Sequence, residues 1–193
     1  MKKIMLLTLF VGITSIFNAA YAQRYLPKQK GIQITAGMSD GVHWDKKTDF
    51  AYYFGTSFSV YTKRGNRWIV GMEYYNKKYP YKTIKIPVNQ YTAEGGYYLN
   101  FLSDRKKIFF LSVGLSGMLG CEISNNGEKL LYDGATLNNK DAFVYGGAAT
   151  LEVEIYIIDR LVLLIGMRER LLFGSTIGKF HTQVGTGLKF IIN

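Results

Sequence analysis

The chain has 193 residues, 48% of them hydrophobic and 20% charged, with a formal net charge of +10 and a single cysteine. One cysteine excludes an internal disulfide framework, and the length suits one domain. The basic balance allows anionic partners, of which nucleic acid and the phosphates of lipopolysaccharide are two. Most of the basic residues fall in predicted connections, so a solvated rim is the simpler interpretation.

The first 22 residues predict a secretory signal peptide. Two lysines precede an apolar run over residues 4–17, and Ala20 and Ala22 are small residues at the two positions that a signal peptidase reads. The run is too short to span a bilayer comfortably as an anchor. Cleavage is expected after Ala22. The remaining segment, 23–193, is predicted to be a single domain with a net charge of +8.

Beyond residue 30, bulky apolar side chains alternate with small or polar ones. Leu151 and Val153 share one parity, for example, whereas Glu152 and Glu154 share the other. A β-strand sends successive side chains to opposite faces, so this alternation predicts strands with one apolar face. Eight segments follow the pattern: 31–38, 50–62, 68–76, 83–102, 108–121, 142–157, 161–173 and 180–192.

The connections between these segments alternate in length. The short ones are 63–67, 103–107 and 158–160, and the mostly longer ones are 39–49, 77–82, 122–141 and 174–179. Outer-membrane barrels combine short periplasmic turns with longer extracellular loops, whereas a soluble sandwich has no such requirement. Pro87 suits only an edge or a rim extension of the fourth strand. We therefore predict an all-β fold, an eight-stranded antiparallel up-and-down transmembrane barrel of outer-membrane type.

Seven charged residues share the parity opposite to the apolar face. They are Glu73, Glu94, Glu152, Glu154, Arg168, Arg170 and Lys189. A charge on the lipid face costs as much as ~2–4 kcal/mol for Arg or Lys at midplane, so these side chains are expected to face the lumen. The lumen of an eight-stranded barrel is just wide enough for side chains to fill, and buried charges there must be paired.

The hairpin of the sixth and seventh strands suggests specific pairs. Its register places Glu152 opposite Gly166 and diagonal to Arg168. We predict a lumenal network in which Glu152 and Glu154 pair with Arg168 and Arg170. Its expected role is structural, as a plug of the lumen, and a functional gate is the alternative.

No catalytic, cofactor or metal site is predicted. The two histidines, His43 and His181, lie in a loop and at the start of the last strand, and with one cysteine they make a poor metal set. Ser175 and Glu169 lie near His181 in the sequence, but no local motif supports a catalytic triad. The chain is therefore expected not to be an enzyme and to need no cofactor. A lipid-modifying enzyme that acts through His181 is the alternative.

Several stretches, which together span most of the chain after the signal peptide, resemble the TraO family of conjugative transposons in Bacteroidetes-type bacteria. They are QRYLPKQKGIQI (23–34), TAEGGYYL (92–99), LLYDGAT (130–136), NNKDAF (138–143), RER (168–170), GKFHT (178–182) and GLKFIIN (187–193). The resemblance carries no catalytic motif to transfer.

The resemblance implies a component of a type IV-like secretion apparatus that moves DNA between cells. Other Tra proteins and outer-membrane lipid or lipopolysaccharide are then the expected partners. Because a filled lumen cannot pass a DNA strand, we expect an anchoring or assembly role rather than a conduit, and no direct binding of nucleic acid. The alternative is a general surface, envelope-integrity or adhesion barrel with no part in transfer.

Overall fold

The computed structural model describes residues 28–40, 51–82, 84–128, 130–131, 133–137 and 141–192. The predicted signal peptide and His43 lie outside the described residues. Among the described residues, no helix is long and apolar enough to cross a membrane. The strands are β1 (Lys30–Ser39), β2 (Ala51–Tyr61), β3 (Arg67–Tyr81), β4 (Ile84–Ser103), β5 (Phe109–Ser124), β6 (Ala142–Ile158), β7 (Leu161–Phe173) and β8 (Phe180–Ile192).

The eight strands form one closed barrel. Each strand pairs antiparallel with its neighbours in the chain, and β1 pairs with β8, so no edge of the sheet is left open. Glu152 lies opposite Gly166, as the predicted register requires. The predicted eight-stranded up-and-down barrel is confirmed, and most strand ends fall within one residue of their predicted positions.

The barrel has two different ends, which we call the turn end and the loop end. The turn end carries the first residue of β1, the last residue of β8 and the connections 62–66, 104–108 and 159–160. The loop end carries the connections 40–50, 82–83, 125–141 and 174–179. Single 3₁₀ turns occupy Lys63–Gly65 at the turn end and Asn125–Gly127 at the loop end.

The prediction of a loop over residues 77–82 is wrong. β3 and β4 continue past the barrel wall as a hairpin, in which Pro80 pairs with Lys85 and Lys78 with Pro87. Pairing with the flanking strands stops earlier, at Asn76 on β3 and at Val88 on β4. A proline cannot donate to a ladder, and beyond these points no flanking strand requires a donor, so the hairpin accommodates both prolines.

Large apolar side chains cover the outside of the barrel. Met72 and Leu115 are 70% and 69% exposed, respectively, and many similar side chains surround them. Aromatic residues gather near both ends of this surface. Those near the loop end are Tyr52, Tyr74, Tyr91, Phe143, Tyr145, Phe173 and Phe180, and those near the turn end are Trp68, Tyr97, Phe101 and Phe190. The arrangement is that of a barrel with an apolar band between two aromatic girdles.

The lumen contains the buried core. An apolar cluster closes its turn end, with Tyr61, Phe110, Tyr156, Val162, Leu164 and Ile191 in contact. Above this cluster lie most of the buried polar and charged side chains, together with a second, smaller apolar cluster of Met118, Ala148 and Leu172. The apolar-out and polar-in pattern is the reverse of a soluble β-sandwich, whose core lies between apolar inner faces.

Candidate functional site

The charged lumen is the most distinctive chemical feature of the molecule. All seven charged residues singled out from the sequence line it, and they separate into two groups along the barrel axis. The turn-end cluster contains Glu152, Glu154 and Lys189 together with Arg67. The central cluster contains Glu73, Glu94, Arg168 and Arg170. Each cluster has two cations and two carboxylates.

Three of the four side chains of the turn-end cluster are closed to solvent, and the fourth, Glu152, is 7% exposed and borders a small cavity. The side chains of Arg67, Glu154 and Lys189 have no exposed surface. Arg67 binds the Glu152 carboxylate through Nη2, and its Nη1 lies 3.3 Å from Oε2 of Glu154. Lys189 binds the other oxygen of Glu154, which also accepts a hydrogen bond of 3.0 Å from the Tyr61 hydroxyl. A guanidinium that is buried in this way needs several ion-pair or hydrogen-bond partners to offset the loss of its hydration.

Sequence reasoning missed Arg67, because its neighbours Lys63, Arg64 and Asn66 suggested a polar turn. It is the first residue of β3 and pairs with Tyr61 of β2. A signal was available in the parity of the strand. Arg67 shares the inward parity of Ile69 and Glu73, and both of these residues are buried in the lumen.

The central cluster is centred on Arg168. Its Nη1 lies 3.2 Å from Oε2 of Glu73 and 3.1 Å from Oε2 of Glu94. The Nη2 group donates to Oε1 of Glu94 at 3.1 Å and to the Tyr98 hydroxyl at 3.2 Å. Arg170 contributes a second cation, with Nη1 2.9 Å from Oε1 of Glu73. These contacts join β3, β4 and β7 across the lumen.

The predicted pairing of Glu152 and Glu154 with Arg168 and Arg170 is therefore wrong, although the four residues do face the lumen. Glu152 and Glu154 bind Arg67 and Lys189 instead. The prediction considered only neighbours on one hairpin. In a narrow barrel, however, a long side chain also reaches the opposite wall, so residues distant in the sheet compete for each partner.

Little free space remains between the clusters. One cavity of about 40 Å³ borders Glu73, Glu94, Glu152 and Arg168. A buried water needs roughly 10–15 Å³ of such space, so the cavity has room for a few water molecules and for no larger solute. The side chains of the two clusters fill the rest of this part of the lumen.

The loop end has its own polar layer. Asp40 accepts hydrogen bonds from Tyr75 at 3.1 Å and from Lys77 at 2.6 Å, and its Oδ1 lies 3.1 Å from Nδ1 of His181. Burial raises the pKa of the Asp40 carboxyl, but the hydrogen bonds from His181 and Lys77 outweigh it and leave that pKa well below its ordinary value. These contacts join β1, β3 and β8 at the mouth.

A second carboxylate, Glu122, anchors the β7–β8 loop. It is fully buried and accepts hydrogen bonds of 2.8 Å from Gln90 and of 2.8 Å from the Ser175 hydroxyl. The backbone amide of Thr176 donates a third, at 3.0 Å, and its hydroxyl contributes another. The loop is thereby held over the lumen by Glu122 of β5, and Gln90 of β4 adds a hydrogen bond of 3.2 Å to the Ser175 hydroxyl.

The structure does not bring together Ser175, His181 and Glu169, the residues considered for a catalytic triad. His181 bonds Asp40 and the carbonyl of Gly178, and Ser175 bonds Glu122. Glu169 faces outward, where the Thr182 hydroxyl donates to it at 2.6 Å. Glu169 therefore corrects the expectation that charges keep to the lumen face. Within the described part of the chain, no group of three potential ligands is placed to hold a metal ion.

Solved structures with a similar fold include two bacterial proteins, Ail and Neisserial surface protein A. Ail, the attachment invasion locus protein of Yersinia pestis, gives a TM-score of 0.56 at 10% identity over 86% of this chain and 100% of Ail. Ail in complex with the heparin analogue sucrose octasulfate gives 0.58 at 11% identity over the same shares. Neisserial surface protein A gives 0.54 at 13% identity, over 83% of this chain and 96% of its own. Identities this low show a shared fold alone.

Comparison at the level of sequence is more specific. No curated protein sequence matches the chain. The family model of the conjugative transposon protein TraO, in contrast, matches residues 26–192. That range includes every strand of the barrel and both ion clusters. The chain therefore belongs to the TraO family of conjugative transposon proteins.

Proposed function

We propose that this protein is an outer-membrane anchor or assembly component of a conjugative DNA-transfer apparatus. The proposal rests on one observation: a member of the TraO family forms a barrel that has an apolar outer band, two aromatic girdles and a lumen filled with side chains. The exposed apolar band suits lipid, because soluble monomers rarely expose such large apolar surfaces. By the usual arrangement of outer-membrane barrels, the turn end faces the periplasm and the loop end the cell exterior.

The lumen argues against a role as the DNA conduit. Both ion clusters cross it, and the cavity between them has a volume of about 40 Å³. A strand of DNA could pass only if Arg67, Arg168 and their carboxylates separated. Breaking buried ion pairs of this kind costs about 3–5 kcal/mol for each lost partner. We therefore assign to the barrel a supporting role beside the conduit.

An anchoring role requires surfaces that other proteins can reach. At the turn end, the connections 62–66, 104–108 and 159–160 are short and rigidly attached to the strands. We propose that other Tra proteins dock there. At the loop end, Lys78 and Lys85 lie exposed on the β3–β4 hairpin, beyond the contacting rings of Tyr74 and Tyr91. We propose that these lysines contact phosphates of lipopolysaccharide.

The decisive experiment combines gene deletion with crosslinking in donor cells. Deletion of the gene should abolish transfer of the element while growth and resistance to detergents stay unchanged. Crosslinking of the tagged protein should recover other transfer proteins. Lost detergent resistance with normal transfer would instead indicate a general envelope barrel, and normal transfer with lost adhesion would indicate a surface-adhesion barrel.

Fractionation of donor cells tests the proposed location in the outer membrane. The protein should separate with outer-membrane markers, and protease added to intact cells should cut only connections of the loop end. Cleavage at residues 62–66 or 104–108 in intact cells would contradict the proposed orientation. In the purified barrel the protease can reach both the turn end and the loop end, so the purified protein should be cut at both ends.

A further inference from the structure

A pocket of about 340 Å³ opens at the turn end of the lumen, between the β2–β3 turn and the β4–β5 turn. Its lining includes Arg64, Lys107, Asn100 and Phe110. Asn100 shares the inward parity of Tyr98, and Phe110 is buried in the apolar cluster that closes the lumen. The pocket is therefore part of the mouth of the barrel and not of its lipid-facing wall.

Two cations line this pocket without a carboxylate beside them. No ion pair involves Arg64 or Lys107 within the described part of the chain, and no acidic residue contributes to the lining. The nearest acidic residue in the sequence, Asp104, accepts a hydrogen bond of 2.7 Å from the backbone amide of Arg105. The pocket thus has a positive charge and no internal group to balance it.

Both cations have an unusual backbone conformation. Arg64 has a φ of 62° and Lys107 a φ of 53°, the left-handed region that glycine and asparagine tolerate best. Glycine at both positions would adopt this backbone conformation at a lower energetic cost. Lys28 and Lys82 share this conformation elsewhere in the chain, so what distinguishes Arg64 and Lys107 is that they lie on either side of one pocket.

The walls of the pocket are fixed by hydrogen bonds. The backbone amide of Asn100 donates to the Asn66 side chain at 3.0 Å, and its side-chain amide donates to the Arg64 carbonyl at 3.3 Å. The register of β4 against β5 shifts between Asn100 and Leu102. Such β-bulges commonly redirect side chains near binding sites. The β2–β3 turn is therefore fixed against β4, the strand that leads into the β4–β5 turn, before any ligand arrives.

The shape and surroundings of the pocket restrict its occupant. Lipid phosphates reach the outer wall of a barrel, whereas this pocket lies inside the ring of strands. A nucleic-acid strand is bound by extended grooves with exposed stacking aromatics, and the aromatic ring here, Phe110, is buried. A concave, cationic pocket of this volume suits a few residues of an acidic peptide segment. Exposed Lys63, Arg105, Lys106 and Arg160 extend the positive charge around it.

We propose that this pocket captures an acidic segment of a partner protein, with Arg64 and Lys107 binding its carboxylate. The inference rests on the proposed anchoring function and names the surface through which anchoring occurs. Arg64 supplies a planar pair of donors suited to a carboxylate, and Lys107 supplies a second charge from the opposite turn. Neighbouring cations steer the acidic segment toward the mouth.

The test uses glycine substitutions, because glycine removes each side chain and suits the left-handed backbone. The variant R64G/K107G and the wild type are purified as folded barrels in detergent. Binding of a fluorescent octaglutamate peptide is measured by anisotropy, with a short single-stranded oligonucleotide as a second probe. The variant should bind the peptide about tenfold more weakly, since two charge-assisted contacts are lost, and should unfold at the same or a higher temperature.

Two controls separate the pocket from general charge. K82G makes the same change at another left-handed lysine, on the loop-end hairpin, and R105Q/K106Q removes two cations of the turn end that do not line the pocket. Both should bind the peptide nearly as the wild type does. An equal loss in R105Q/K106Q would overturn the pocket proposal in favour of diffuse attraction. Tighter binding of the oligonucleotide, weakened by the same substitutions, would overturn it in favour of nucleic acid.

An experiment in cells separates this proposal from the anchoring function. The deletion strain is complemented with the wild type or with R64G/K107G at equal levels in the outer membrane. Loss of both transfer and crosslinked partners with the variant supports the pocket. Full restoration by the variant overturns the pocket proposal while the anchoring function stands. Normal transfer in the deletion strain itself overturns the anchoring function.

Discussion

The two ion clusters of the lumen hold the same charges in different surroundings. In the turn-end cluster, Arg67, Glu154 and Lys189 are completely shielded from solvent. In the central cluster, Arg168 borders the small cavity and keeps 15% of its side-chain surface exposed. Both clusters contain as many cations as carboxylates, and this balance allows the charges to be buried in the lumen. The clusters differ in the access of water, which sets the free-energy cost of removing one charged side chain.

The largest effect is expected from Arg67→Met. This change leaves Glu152 and Glu154 with one cation, Lys189; Glu154 is completely shielded from solvent, and Glu152 only borders the small cavity. The free energy of unfolding should fall by about 3–5 kcal/mol, as for other buried pairs that lose a partner. Urea unfolding in lipid vesicles, followed by tryptophan fluorescence, measures the change. Arg105→Met is the control, because Arg105 is an exposed cation at the same end. Equal losses in both variants would show that the buried pairs contribute nothing special.

A smaller loss is expected from Arg168→Ala. Water from the cavity can hydrate Glu94, and Arg170 remains 2.9 Å from Glu73. The free energy of unfolding should fall by about 1–3 kcal/mol, the usual cost of an unsatisfied polar group. The temperature at which the folded band disappears on a gel reports the change. An unchanged temperature would mean that Arg168 does not stabilise the barrel, and a loss equal to that of Arg67→Met would remove the distinction between the clusters.

The strands could be predicted from the sequence because alternation is a local property. Each strand needs only its own parity, and the turn-end connections carry Gly65, Asn66, Asp104 and Asp159, which suit tight turns. The extension of β3 and β4 could not be predicted in the same way. Pro80 and Pro87 suggest an interruption, and only the absence of flanking strands at that height makes them acceptable.

The pairing of charges could not be predicted because it depends on distance across the lumen. Parity correctly places Glu152 and Arg168 on the inner wall, and the register correctly places Glu152 opposite Gly166. The partner of each charge, however, is decided by side chains from the other side of the barrel. Arg67 binds Glu152 from β3, which is three strands away from β6 around the barrel. No spacing within one hairpin encodes that contact.

Glu169 lies outside both clusters, on the outer face of the barrel, and is an exception to the placement of strand charges in the lumen. The alternation that turns Arg168 and Arg170 inward turns Glu169 outward, about four residues below the aromatic Phe173. Its carboxylate accepts a hydrogen bond from Thr182 and forms no ion pair among the described residues. A lipid-facing carboxylate is unfavourable, although less so than Arg or Lys.

The smallest effect, and one of opposite sign, is therefore expected from Glu169→Leu. Removing the carboxylate from the apolar surface should raise the free energy of unfolding by about 1 kcal/mol, less than the ~2–4 kcal/mol cost of Arg or Lys at midplane. Thr182→Val is the matched control: it keeps the carboxylate and deletes its donor, so it should lower the stability. Urea unfolding in the same vesicles compares the two. A stability loss in Glu169→Leu would show that the outward carboxylate contributes a favourable contact, and the lumen would then not be the only region in which this barrel uses charge to hold its strands together.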